Sequence, residues 1–188
     1  VSSTGARFHA GGMTTTDGKN IGTIVVGVDY SPFADKAVAW AAREASLQNR
    51  VLTIVHAVRE FGLEDQAWMS RAGTSPVAVA HQLRHDAEDL VARAGASATE
   101  AAPGVEVENI VKTGDARDVL LELAPSAAMI VLGSRGRGPV SSLLLGSVSI
   151  AVSRHAACPV VVVRPDDEDV PRRGVLVGTD GSAASVPT

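Results

Sequence analysis

The chain has 188 residues and a formal net charge of -4, enough for one domain with a real core and too acidic for a nucleic-acid-binding surface spread over the protein. Hydrophobic residues make up 45%, charged residues 20% and aromatics 3%, a globular composition whose core must be built from Val, Leu, Ile and Ala. No apolar run approaches the roughly 20 residues of a membrane span, and the single cysteine, Cys158, excludes an intramolecular disulfide.

Residues 1–19 are rich in Gly, Ser and Thr without an apolar period and read as a disordered leader or tag, with Met13 as a candidate start. They lack a charged n-region followed by an apolar h-region, so no signal peptide is evident and a cytoplasmic location is the expectation. Thr23 to Asp29 is a continuous apolar run with β-branched residues, the pattern of a strand covered on both faces. Ser31-Pro32 then reads as an N-cap with proline at the first helical position. The helix places Ala34, Ala37, Val38, Ala41 and Ala45 on one face.

A second strand is expected over Val51 to Ala57, and a long polar connection without secondary structure over Arg59 to Thr74. Ser75-Pro76 opens a second helix with the stripe Leu83, Ala87, Leu90, Val91 and Ala94. A third strand follows over Val105 to Val111, then a helix from Ala116 to Leu123 capped by Gly114-Asp115 and stopped near Pro125. Ala128 to Leu132 reads as the fourth strand and Pro159 to Val163 as the fifth. Five strands alternating with helices predict an α/β fold with parallel pairing, right-handed crossovers and helices on both faces. Ligands of such sheets sit beyond the carboxyl ends of the strands, where the strand order reverses.

The fourth strand runs into GSRGRGPVSSLLLGSVS, residues 133–149, with glycine at 133, 136, 138 and 146. Glycine lets a backbone approach a ligand closely and tolerates φ > 0. The helix opening near Gly146, Ser147, Val148 and Ser149 has free amides in its first turn and the positive end of its dipole there. Together these make a phosphate cradle. Arg135 and Arg137 flank the glycines; guanidinium forks suit phosphate oxygens, and solvated loop arginines fit the residues equally well.

The spacing Gly133-x2-Gly136-x9-Gly146-Ser147 resembles the ATP-binding pattern of the universal stress protein family. The likeness runs from about Asn20 to Pro165 and includes VVGVDYS, LTIVHAV and HAACPVVVVR. It implies a Rossmann-like open parallel sheet in the order 3-2-1-4-5, which brings Asp29 and Gly133 to one crevice. It implies that Asp29 and the main chain at Gly27 and Ala57 hold the adenosine part of ATP. It places Gly133, Ser134, Arg135, Gly136, Arg137, Gly138, Gly146, Ser147, Val148 and Ser149 around the phosphates. The hydroxyls of Ser147 and Ser149, at the helix start, suit the β- and γ-phosphates or a bound Mg2+, and ordinary N-terminal capping fits them too. The likeness also implies a homodimer through the fifth strand, Val160 to Val163, an apolar edge that needs covering, and a regulatory role toward a protein partner that the residues do not identify.

Val26-Gly27-Val28-Asp29-x-Ser31 recurs as Val177-Gly178-Thr179-Asp180-x-Ser182, about one domain length later. Residues 20–165 are therefore expected to form one domain of this family, 166–173 a linker, and 174–188 the remnant of a second, repeated domain.

His81 and His85 in HQLRH lack the glutamate of a zinc-protease helix and, with Asp89, read as a solvated polar face. His56 reads as a satisfied core histidine and Cys158 as a small buried hydrophobe. There is no Walker lysine loop, no G-x-G-x-x-G after the first strand and no G-x-S-x-G elbow. No lysine lies in 133–149, and Lys112 is the nearest candidate. Without a general base for attack on ATP, and with no catalytic residue or metal ligand set assigned, binding without efficient turnover is the plainer reading. A slow ATPase or nucleotidyl-transferring enzyme, and an interaction module without nucleotide, are the alternatives.

Overall fold

The computed structural model describes residues 22–136 and 145–164, with Gly178. Expectations for Arg137, Gly138, the leader, the linker and the repeated segment after residue 173 fall outside these residues. The elements are β1 (Thr23–Gly27), α1 (Pro32–Leu47), β2 (Leu52–Val58), α2 (Leu63–Arg71), α3 (Pro76–Ala101), β3 (Val107–Thr113), α4 (Ala116–Leu123), a 3-10 turn (Ala124–Ser126), β4 (Ala127–Gly133), α5 (Ser147–His155) and β5 (Val160–Val163). All pairings are parallel and the sheet order is β3-β2-β1-β4-β5. This is the Rossmann-like arrangement expected, with β1 and β4 adjacent where the order reverses.

Successive strand side chains point to opposite faces, and two cores result. Ile24, Val26, Ile54 and Val131 pack against Ala37, Val38, Ala41 and Val91 of α1 and α3. Val25, Val55, Ile130 and Leu132 pack against Val119 and Leu120 of α4 and Val152 of α5. The alanines of α1 let that helix lie close to the sheet. Ser31 Oγ accepts from the Ala34 amide at 3.2 Å, so α1 starts where the sequence placed it.

Three departures have local causes. The expected loop over Arg59 to Thr74 contains α2. Asp65 accepts from the Gly62 amide at 3.2 Å and pairs with Arg59 at 3.3 Å, which fixes the first turn. None of its residues is buried, so it has no apolar stripe to be read. The third strand lies two residues later than expected. Gly104, at φ +89°, and a bond from the Val105 amide to the Ala102 carbonyl use up the start of that stretch in a turn. Leu83 of the expected stripe is 37% exposed, whereas Ala87, Leu90 and Val91 are buried. At about 1.5 Å per helical residue and 3.3 Å per strand residue, α3 is far longer than the strands it covers, and its first turns overhang the sheet. No helix among the described residues is long and apolar enough to cross a membrane.

Candidate functional site

Beyond the carboxyl ends of β1, β2 and β4 lies a cavity of about 410 Å3. One end is apolar, formed by Val55 and Ala57 of β2, Ala116, Val119 and Leu120 of α4, and Leu132 of β4. The floor is Gly27. A Cβ there would stand 2.8 Å from Leu132 Cδ2 and 3.5 Å from Leu120 Cδ1, so the absent side chain keeps the slot open. The other end is polar and carries Asp29, Arg135, Gly136 and the first turn of α5.

Asp29 follows β1, and its Oδ1 accepts from the Ser31 amide at 3.2 Å. The cap of α1 is Ser31 itself, so the Asp29 carboxylate is not consumed in capping. A Cβ on Gly136 would collide with its Oδ2. The β4–α5 loop is drawn onto this corner by bonds at both ends. Ser31 Oγ donates to the Arg135 carbonyl at 3.4 Å, the Gly146 amide to the Ser134 carbonyl at 2.8 Å, and the Ser134 amide to Val163 of β5 at 2.8 Å. Gly133 passes so near α1 that a Cβ would come within 2.8 Å of the Phe33 carbonyl carbon and oxygen.

Helix α5, like α2, begins at a glycine. Serine or aspartate side chains cap α1, α3 and α4. The N-cap of α5 is Gly146, which supplies no side-chain acceptor, and Ser147, Val148 and Ser149 form the first turn at the cavity wall. Amides in that position favour an anion. Ser147 is exposed, whereas Ser149 is 4% exposed and its hydroxyl donates to the Gly133 carbonyl at 2.8 Å. The Ser149 hydroxyl thus braces the loop from within. Ser134 is buried beneath the same turn. The Arg135 guanidinium carbon lies 5.9 Å from the Phe33 ring centroid, a cation–π distance.

Of the residues the sequence singled out, Gly27, Asp29, Ala57, Gly133, Arg135, Gly136, Gly146, Ser147, Val148 and Ser149 meet at this cavity. Val119 and Leu120 were not singled out, although the helix Ala116 to Leu123 that carries them was expected; only the sheet order brings that helix to the cavity. Asp29 and Arg135 are the ionisable side chains among the described residues of its lining. Lys112 is paired with Glu122 at 2.7 Å and is not part of the lining.

The other chemically suggestive residues lie elsewhere. His85 contacts Asp89 at 3.4 Å on the exposed surface of α3. Among the described residues no group of three His, Cys, Asp or Glu side chains could hold a metal. Cys158 is half-buried, and burial pushes its thiol pKa up, away from a reactive thiolate.

The sequence model of the Universal stress protein family matches residues 20–164. The chain belongs to that family. A universal stress protein of Mycobacterium tuberculosis is 38% identical over 168 residues, covering 86% of this chain and 55% of the relative. The chain spans about half the length of the curated relatives it matches. Among solved structures, universal stress protein UspA from Lactobacillus plantarum superimposes with a TM-score of 0.60 at 23% identity, covering 78% of this chain and 100% of that one; this likeness concerns the fold alone. A universal stress protein solved in complex with cAMP has a TM-score of 0.54 at 27% identity, covering 76% of this chain and 97% of that one.

Proposed function

We propose that this universal stress protein binds ATP, with Mg2+, in the cavity at the carboxyl ends of β1, β2 and β4. The carrying observation is the cavity's division into two chemically different ends. The apolar slot over Gly27 suits a flat purine between Ala57 and the Val119–Leu120 face of α4. The glycine loop and the α5 amides suit a chain of phosphates at the opposite end. Asp29, at the polar end, is placed to accept from ribose hydroxyls or the base. A related protein's complex with cAMP favours an adenine nucleotide in a fold of this kind.

Mg2+ fits as a companion of the phosphates. The exposed Ser147 hydroxyl is the protein oxygen suited to it, and phosphate and water oxygens would complete the shell. Arg135 is within reach of the phosphate end by rotating off Phe33, and Arg137 and Gly138 of the same loop would extend the cradle.

The protein acts as a nucleotide-dependent regulator in the cytoplasm. Bound nucleotide would tie β1, β2, β4 and α5 together and bias the surface offered to a protein partner. The four valines of β5, at the sheet edge, form the contact of a homodimer. Residues 174–188 are read as the remnant of a second, repeated domain, on the recurrence of the Val26–Ser31 pattern at Val177–Ser182.

The test is mass analysis of small molecules released when the purified protein is denatured, after exchange against ATP and Mg2+. Stoichiometric adenine nucleotide is expected. Protein that loads none would leave the interaction-module reading.

A further inference from the structure

The corner Val28-Asp29-Tyr30 faces two ways. Asp29 lines the nucleotide cavity. Tyr30 does not; it lines a separate cleft between the end of β2 and α3, with His56, Arg59 and Arg93. Tyr30 has φ 62°, the left-handed region in which a bulky side chain is strained and persists only when its surroundings hold it.

The holding contacts form a closed circuit around Asp29. The Tyr30 hydroxyl donates to the Asp86 carbonyl of α3 at 2.9 Å. The Tyr30 ring meets the His56 ring edge to face, with centroids 5.6 Å apart and planes at 82°. His56 Nδ1 lies 2.7 Å from the Val28 carbonyl. Since a carbonyl can only accept, Nδ1 carries the proton and donates. The Val28 amide in turn donates to Val55 of β2 at 2.9 Å. Both neighbours of Asp29 are therefore fixed to groups outside the cavity. The reversal at Tyr30 brings the Ser31 amide back to Asp29 Oδ1.

We infer that Tyr30, clamped by His56 and the Asp86 carbonyl, is a positioning residue for nucleotide binding: it holds the Asp29 carboxylate toward the cavity without touching the ligand. The inference rests on the ATP-binding reading above. The reasoning is one of population. A ligand that needs one orientation of Asp29 binds with an apparent Kd equal to the intrinsic value divided by the fraction of chains in that orientation. The strained, triply anchored corner keeps that fraction near one. Releasing the anchor frees the corner from α3 and His56, so that the residues flanking Asp29 shift and the carboxylate turns away.

The experiment is calorimetric titration of ATP with Mg2+ into five proteins: the unsubstituted chain, Tyr30→Phe, Tyr30→Asn, Asp29→Asn, and Tyr30→Asn in the Asp29→Asn background. Asparagine tolerates left-handed φ but brings neither ring nor hydroxyl to the clamp. A circular-dichroism melt confirms that each variant is folded, and Tyr30→Phe keeps the ring should Tyr30→Asn fail to fold. Tyr30→Asn is expected to raise Kd about tenfold and Tyr30→Phe about threefold. In the Asp29→Asn background the Tyr30→Asn step should leave Kd unchanged, because no carboxylate remains to be aimed. Unchanged Kd in folded Tyr30→Phe and Tyr30→Asn would overturn the inference, and so would an equal loss in both backgrounds. Absence of binding to the unsubstituted chain would show separately that the ATP reading itself has failed.

Discussion

Asp29 Oδ2 occupies the space that a Cβ on Gly136 would need. The carboxylate after β1 and the glycine loop after β4 thus define one contact, made across a boundary between strands that are distant in sequence and adjacent at the reversal of sheet order. Gly136→Ala should displace Asp29 and weaken ATP binding about tenfold, about 1.4 kcal/mol, with little loss of stability because the collision is with a side-chain end. Calorimetry combined with a urea melt separates the two effects.

Gly146 gives a contrasting case. A Cβ there would have its nearest contacts at 3.6 Å, from Arg135 Cα and the Gly136 amide, ordinary van der Waals spacing. Gly146→Ala should keep ATP affinity within about threefold, whereas Gly146→Leu projects a branched chain into the cradle and should cost at least about tenfold. Equal affinities for the Ala and Leu variants would place the phosphates elsewhere.

Gly133→Ala tests packing instead of binding. Its Cβ would press on the Phe33 backbone at 2.8 Å, and backbone cannot swing aside as a side chain can. A loss of about 1–3 kcal/mol is expected from overpacking, read as a lower urea midpoint at unchanged slope.

Asp115 carries a pH-dependent contribution. The Arg117 guanidinium, hydrogen-bonded at 2.8 Å, and then the Arg117 amide at 2.9 Å hold its carboxyl down at about 2. The folded value lies below the ordinary carboxylate value, so the folded state favours the ionised form. The stabilisation is therefore complete above about pH 4 and fades as pH falls toward 2. Asp115→Ala should cost about 1 kcal/mol at neutral pH through loss of the α4 cap. The gap between the two proteins should narrow between pH 4 and 2, followed by denaturant melts at several pH values.

Much of this was legible in the chain, for reasons that differ by element. The start of α1 was readable because Ser31-Pro32 combines a side-chain acceptor with a fixed φ, and those are local facts. The central strands β1 and β4 were readable because their apolar runs are unbroken and buried at the centre, whereas β3, VENIVKT at the sheet edge, is interrupted by polar residues. Helix α2 was not, since it buries nothing and is held by one aspartate and an ion pair. The strand order was supplied by resemblance, because alternation alone does not choose among parallel orders. At the site, the glycines and Asp29 stood out by type and spacing. Val119 and Leu120 did not, because a helix stripe reads the same whether it faces a core or a cavity. Tyr30 and His56 were the least legible: their relationship spans β1, β2 and α3, and depends on a backbone angle that no residue type announces.

The ionisable side chains among the described lining residues are Asp29 and Arg135, and the reading of this cavity as a binding site carries a prediction about turnover. ATP turnover should be far below the roughly 10 s-1 of a median enzyme. Release of ADP or AMP followed over hours checks this, and a rate near that median, abolished by Gly146→Leu, would establish an enzyme instead.

The most direct test of the central claim is calorimetric titration of ATP and Mg2+ into the unsubstituted chain alongside Asp29→Ala and Gly146→Leu, two lining residues from the β1 and β4–α5 corners of the cavity. Binding of one nucleotide per chain, weakened about tenfold or more by each substitution, is the predicted result. No binding, or binding indifferent to both substitutions, would contradict it.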